Sequence, residues 1–226
     1  MLSVVSSAAL LGIDGVQVDV EVDFRAGLPA FSIVGLPDAG VKESKERVIA
    51  ALKNSNYFFP LQRITVNLAP GHIRKEGTTF DLAIAIGILS TTGLISAEST
   101  ENTAFLGELG LNGDLRPIRG VLPCVSGLFK KGIKRVFVAK PNADEAALVE
   151  NLEVYGAKNL IEVVSHLMGE NHIPVHTINH QHIFSASYSN DVDFSEVKGQ
   201  LLAKRALEIA AAGGHNLLCL CVKGVV

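Results

Sequence analysis

The 226-residue sequence has no excess of positive charge: 20 lysines and arginines stand against 23 acidic residues, a formal net charge of −3. That removes any global electrostatic reason to bind nucleic acid, so such binding requires a local patch. There are only three cysteines, with no pairing pattern, which excludes a disulfide framework and points to a reducing, cytoplasmic setting. No apolar run is long enough to span a bilayer. The longest, LAIAIGILSTTGLI from Leu82, is too short and contains Ser and Thr, so no membrane partner is expected. The amino-terminal MLSVVSSAALLGIDG lacks the basic start of a signal peptide and leads straight into a strand. What is present is ample for a core: 48% of residues are hydrophobic and 19% charged.

Alternation in GVQVDVEVDF places Val16, Val18, Val20, Val22 and Phe24 on one face and Gln17, Asp19, Glu21 and Asp23 on the other. This predicts a half-buried, antiparallel strand with an acidic solvent side, and AFSIVG (30–35) is the expected partner. Asp38 is placed to cap a helix reaching about Asn54, with Val41, Val48, Ile49 and Leu52 on its apolar stripe. RITVNLAP reads as a strand, and 79–92 as an apolar helix at the centre of the core. TAFLGEL and LRPI read as two strands joined by a turn at Asn112-Gly113-Asp114. A helix over 121–131, the strand RVFVA, the helix ADEAALVE and a helix over 160–167 follow. Strands and helices mix without strict βα alternation, so the expected class is α+β, a layered domain over residues 1–168.

From 169 to 192 the chain turns polar and rich in His, Ser and Asn, the composition of a linker. At 193–226 something new begins: a short entry, then from Gln200 a helix with Leu202, Ala206, Ile209 and Ala210 on one face. Some thirty residues cannot bury that face alone, so this segment reads as the start of a second, incomplete domain.

Three stretches, FSIVGLPDAGVKESKERVIAAL, KEGTTFDLAIAIGIL and GELGLNGDLRPIRGVLP, followed by DFSEVKGQLLAKRALEIAAAGGHNLL, strongly resemble the YifB/ComM family of bacterial magnesium-chelatase-like AAA+ ATPases. The resemblance implies a Lon-protease-like α+β domain followed by a truncated start of an AAA+ α/β module. It also implies a DNA-processing motor that uses ATP and Mg and works as a ring on DNA, a branch-migration helicase in natural transformation. In that family GGHNLL continues into a phosphate loop ending Gly-Lys-Ser/Thr. The residues here are Cys221, Val222, Lys223, Gly224, Val225 and Val226, of which only Gly224 suits a glycine position, and no Ser or Thr follows. This chain alone is therefore expected to bind no cofactor and to hydrolyse no ATP. The entry before the last helix resembles the adenine border of an AAA+ module, which makes Val197, Lys198 and Gly199 the nucleotide-proximal candidates.

A Lon-type peptidase, which the first domain resembles, uses a Ser-Lys dyad. Its nucleophile run matches Lys75 to Asp81, with Thr79 at the serine position, and its lysine pattern matches Arg119 to Leu122. A hydroxyl attacks a peptide only with a base beside it, and Leu122 cannot accept a proton. Arg119 is always protonated, and nothing in the sequence brings His72 to Thr79. The alternative is that Thr78 or Thr79 caps the following helix. A non-proteolytic domain is the expectation.

Two further clusters bear on binding. Lys130, Lys131, Lys134 and Arg135, with Arg116 and Arg119 nearby, form a candidate basic patch for DNA phosphates, although no aromatics interleave for base stacking. For the isolated domain, favourable lysines at a helix C-terminus are the preferred reading. His172, His176 and His180 are four apart, as three ligands on one helix face would be, but Pro174 breaks that helix and no acidic or thiol ligand completes the set. Cys219 and Cys221 lack a second pair. No metal site is expected.

Overall fold

The computed structural model of the chain describes residues 2–178 and 193–220. They fall in two compact units divided after residue 179.

The first unit is built on a seven-stranded sheet, with β1 at Leu2–Leu11, β2 at Asp14–Arg25, β3 at Ala30–Val34, β4 at Arg63–Ala69, β5 at Thr103–Leu106, β8 at Arg135–Ala139 and β9 at Glu153–Ala157. The spatial order is β3-β4-β2-β1-β5-β8-β9. A separate two-stranded ribbon pairs β6 (Glu108–Leu109) with β7 (Leu115–Arg116). Strand β2 runs antiparallel to β1 and β4, whereas β3–β4, β1–β5, β5–β8 and β8–β9 are parallel. The helices are α1 (Ala39–Asn54), α2 (Asp81–Thr91), α3 (Ala97–Thr100), α4 (Val121–Lys130), α5 (Ala143–Ala146) and α6 (Leu160–Leu167).

The sheet is parallel-rich and mixed, and its two halves differ. Over β5, β8 and β9 successive residues feed two separate cores. Phe105, Phe137 and Tyr155 join a cluster with α1, α2 and α6, while Ala104, Leu106, Val136, Val138 and Val154 join α4 and α5 on the other face. A strand buried on both faces reads as a continuous apolar run, which is why TAFL and RVFVA do not alternate. On β2, by contrast, Val18, Val20 and Val22 are buried while Asp19 and Glu21 face partly to solvent, as the alternation predicts.

Several expectations need correction. AFSIV does not pair with β2; β4 lies between them and β3 pairs parallel to β4. TAFLGEL is two strands, broken where Gly107 (φ 159°) turns the chain out of the main sheet into the ribbon. ADEAALVE shrinks to the single turn of α5, preceded by a 3-10 turn at Lys140–Asn142. Strands β1 and β9 escape a pattern reading. In β1 the central positions are serines and alanines, which bond their neighbours: Ser3 donates to the Gly87 carbonyl of α2 (2.7 Å) and buried Ser7 to that of Phe105 on β5 (2.9 Å). Close approach also fixes α4. A Cβ on Gly15 would lie 2.2 Å from the Pro123 carbonyl oxygen, and one on Gly127 would lie 2.0 Å from that of Gly15.

The stretch expected to open the linker is not detached at its start. Residues 171–178 run beside edge strand β9, where His176 donates its backbone N–H to Val154 (2.7 Å) and its ring Nε2 meets Asp144 (2.6 Å). Earlier in the segment, Ile173 donates its N–H to Nδ1 of His166 (3.0 Å). No helix forms here and no group of three metal-ligating side chains occurs among the described residues. His180 and Cys221 lie outside them.

In the second unit, helix α7 (Leu201–Gly213) has no buried residue. Leu201, Leu202 and Ile209 are exposed, and 215–220 adopts no regular structure.

Candidate functional site

The run Lys75–Asp81 and the loop before α4 meet across a cleft of about 570 Å³ whose walls include Asp38, Thr78, Thr79, Glu108, Arg119 and Cys124. Each wall is held by backbone groups that would otherwise be unpaired. Asp38 accepts from the N–H of Val41 (2.7 Å), capping α1, and from that of Gly77 (3.3 Å), fixing the turn before the threonines. Gly107 donates to the Thr79 carbonyl (3.0 Å), and its own carbonyl receives the Leu82 N–H (3.2 Å). The opposite wall hangs on Asn142, whose buried amide accepts from Ile118 N–H (2.9 Å) and donates to Ile118 carbonyl (3.0 Å). Gly120 then enters α4 at φ 73°, where a Cβ would lie 2.5 Å from Leu10.

The structure brings Thr79 and Arg119 to one cleft and leaves Leu122 outside its lining. The Thr79 hydroxyl has no hydrogen-bond partner among the described residues. Leu122, 36% exposed, donates its backbone N–H to Glu145 Oε1 (2.9 Å), which satisfies the start of α4. Neither threonine caps α2: its first residue is Asp81, and Phe80 precedes it with no side-chain cap. The Gly107 carbonyl has taken over that role, and Thr78 donates instead to Glu108 Oε2 (2.6 Å). Cys124, the thiol nearest the site, is 2% exposed, and burial, reinforced by Glu145, pushes it up to about 12. A thiol held neutral in this way is a poor nucleophile. The cleft thus contains hydroxyls, the carboxylates of Asp38, Glu76 and Glu108, and one guanidinium, but no amine or imidazole.

Two charged residues of the same run were not singled out from the sequence. Asp81 is fully buried and receives both Arg47 Nε (2.6 Å) and Nη2 (3.1 Å), together with the Leu109 N–H (3.2 Å). Burial pushes its carboxyl up and the guanidinium opposes the rise, while the same hydrogen bond raises Arg47. Lys75 is also fully covered; its Nζ donates to the Pro70 carbonyl, and burial lowers its affinity for a proton. An Arg 34 residues before an Asp gives no spacing signal, because the pair closes across two helices.

Of the basic patch, Lys130, Lys131 and Lys134 are exposed around the end of α4 and the start of β8. The Arg135 guanidinium is engaged by the chain before β5, donating to the carbonyls of Glu101 (2.8 Å) and Ser99 (3.5 Å). Arg116 faces Glu108 (3.4 Å). In the second unit Val197 donates its N–H to Phe194 (3.3 Å), Gly199 takes φ 71° and Lys198 is exposed.

A family model described as subunit ChlI of Mg-chelatase matches residues 20–142, and one described as magnesium chelatase, subunit ChlI, matches residues 193–225. Competence protein ComM of Haemophilus influenzae is 43% identical over 220 residues, which cover 97% of this chain and 43% of that protein. YifB of Escherichia coli, an uncharacterized protein, is 39% identical over 218 residues, 96% of this chain and 42% of its own length. Lon protease 2 of Bacillus subtilis is 30% identical over 129 residues, covering 56% of this chain and 23% of the protease. The chain thus spans less than half the length of the ComM and YifB relatives that it matches almost end to end. With both family models in sequence order and these relatives spanning nearly all of it, the chain belongs to the YifB/ComM family of magnesium-chelatase-like proteins.

Proposed function

We propose that residues 1–168 form the non-proteolytic, Lon-like amino-terminal domain of a ComM/YifB-type, ATP-dependent DNA-processing motor, and that 193–226 open its AAA+ module. The observation that carries the non-proteolytic reading is the chemistry of the cleft. Thr79 lies at the nucleophile position with no base against its hydroxyl, and the residue matching the peptidase lysine is Leu122. Glu108 accepts the Thr78 hydroxyl on one oxygen (2.6 Å) and faces Arg116 with the other (3.4 Å), a network that holds the loop together. The domain's role in the intact motor is assembly and docking, on DNA or on neighbouring copies in a ring. ATP and Mg act in the region of the relatives that lies beyond the match, with Val197, Lys198 and Gly199 at the border of the adenine. The protein works in the cytoplasm.

Incubation of the purified chain with casein tests the peptidase question. The expected result is no cleavage above a buffer control. Cleavage abolished by Thr79→Ala would overturn the reading, and cleavage abolished by Thr78→Ala but not Thr79→Ala would move the nucleophile to the Thr78–Glu108 pair.

A further inference from the structure

A second cavity, of about 400 Å³, lies away from the cleft, at the carboxyl ends of two adjacent parallel strands. In the β8–β9 ladder Ala139 pairs with Ala157, and each is followed at once by a lysine, Lys140 and Lys158. Neighbouring parallel strands lie roughly 4.8 Å apart, so the register delivers both lysines to the same rim. Both are exposed and neither has an ion-pair partner among the described residues. His172, Ile173 and His176 close the far side from the segment that runs beside β9. The floor is bare backbone at Gly156, where a Cβ would lie 2.9 Å from that of Ala143. The one carboxylate in the lining, Glu162, already accepts the Lys158 backbone N–H (2.7 Å), and His176 is engaged with Asp144.

We propose that this cavity binds the phosphate monoester of a small organic molecule. The cavity opens outside the carboxyl ends of β8 and β9, where the two lysines meet. Its volume falls in the range of small-molecule sites, and it combines a charged rim with an apolar wall at Ile173. Two lysine ammonium groups are point charges without the planar fork that selects a carboxylate, so they favour a compact dianion. The helix that starts here, α6, contributes little. Asn159 and Glu162 already occupy its first N–H groups and the approach to them, leaving the lysines as the anion's main donors. The site stands on different residues from the Thr79 cleft and from the Lys130–Lys134 patch, so it does not depend on the proposed function.

Calorimetry and amide NMR on the 226-residue chain, with inorganic phosphate, adenosine monophosphate, adenosine and a single-stranded dT oligonucleotide as probes, test this. The expected result is saturable binding of the monophosphate, with shifts at Gly156, Lys158 and Ile173, competition by inorganic phosphate, and no binding of adenosine. Lys140→Gln with Lys158→Gln weakens it at least tenfold. Both side chains are exposed, so an unchanged melting temperature shows that the double variant is folded. Equal binding of adenosine, oligonucleotide binding at this site without monophosphate binding, unaltered affinity in the double variant, or no binding of any probe would each overturn the proposal.

Discussion

Asp81 shows how a single buried residue can hold several elements in place. Its buried carboxylate ties α1, α2 and β6 together through Arg47 and Leu109. Removing one partner of such a pair leaves an uncompensated charge in the core. Arg47→Met is therefore expected to cost about 3–5 kcal/mol in urea unfolding. Adding Asp81→Asn to it recovers part of the loss, because the stranded charge is gone. Cysteine chemistry separates by the same logic of burial. Cys124, raised to about 12, stays unmodified by iodoacetamide at neutral pH, whereas exposed Cys219 is alkylated. Peptide mass spectrometry of the native chain reads both. None of this is visible in the sequence, where Asp81 looks like an ordinary first-turn acid and the cysteines differ only in their neighbours.

At the scale of elements, periodicity served where one face meets solvent and failed where neither does. Strand β2, helix α1 with its Asp38 cap, and α6 are legible because burial alternates along them. Strand β1 is not, since its small residues answer to the helix packed upon it, and β9 is too short to show a period. The cleft's fastenings, Gly107, Asn142 and Thr78–Glu108, join residues far apart in the chain and leave no local signature in the sequence. A contact away from the cleft, between α6 and the segment that follows it, carries a pH dependence. His166 stacks edge-on against Phe137 and Tyr155 and must keep Nδ1 unprotonated to accept from Ile173. Burial, helped by His172 and Arg135, lowers it below its ordinary value of 6.5. The folded state then binds fewer protons than the unfolded chain. The stability it contributes is complete above 6.5 and is lost as pH falls from there through the folded value. Urea midpoints measured over that range should fall in the wild type and fall less in His166→Asn.

Across the whole first unit, the sheet is double-sided at one end and single-sided at the other, and its two edges are treated differently. β9 is covered by residues 171–178, whereas β3, an uncharged five-residue strand, has β4 as its one neighbour among the described residues. Exposed edges without charge or proline are where sheets add further strands. At high concentration, the self-association that arises through the sheet is expected to stop at pairs by analytical ultracentrifugation. His176→Ala, which releases the ring from Asp144, is expected to bring larger species.

A sheet with one open edge behaves as a connector with a single socket. Two copies joined there have used both of their sockets, and the chain of additions ends. The hydrogen bond from His176 to Val154 therefore acts as a terminator, setting a ceiling on edge-wise growth at that side of the sheet.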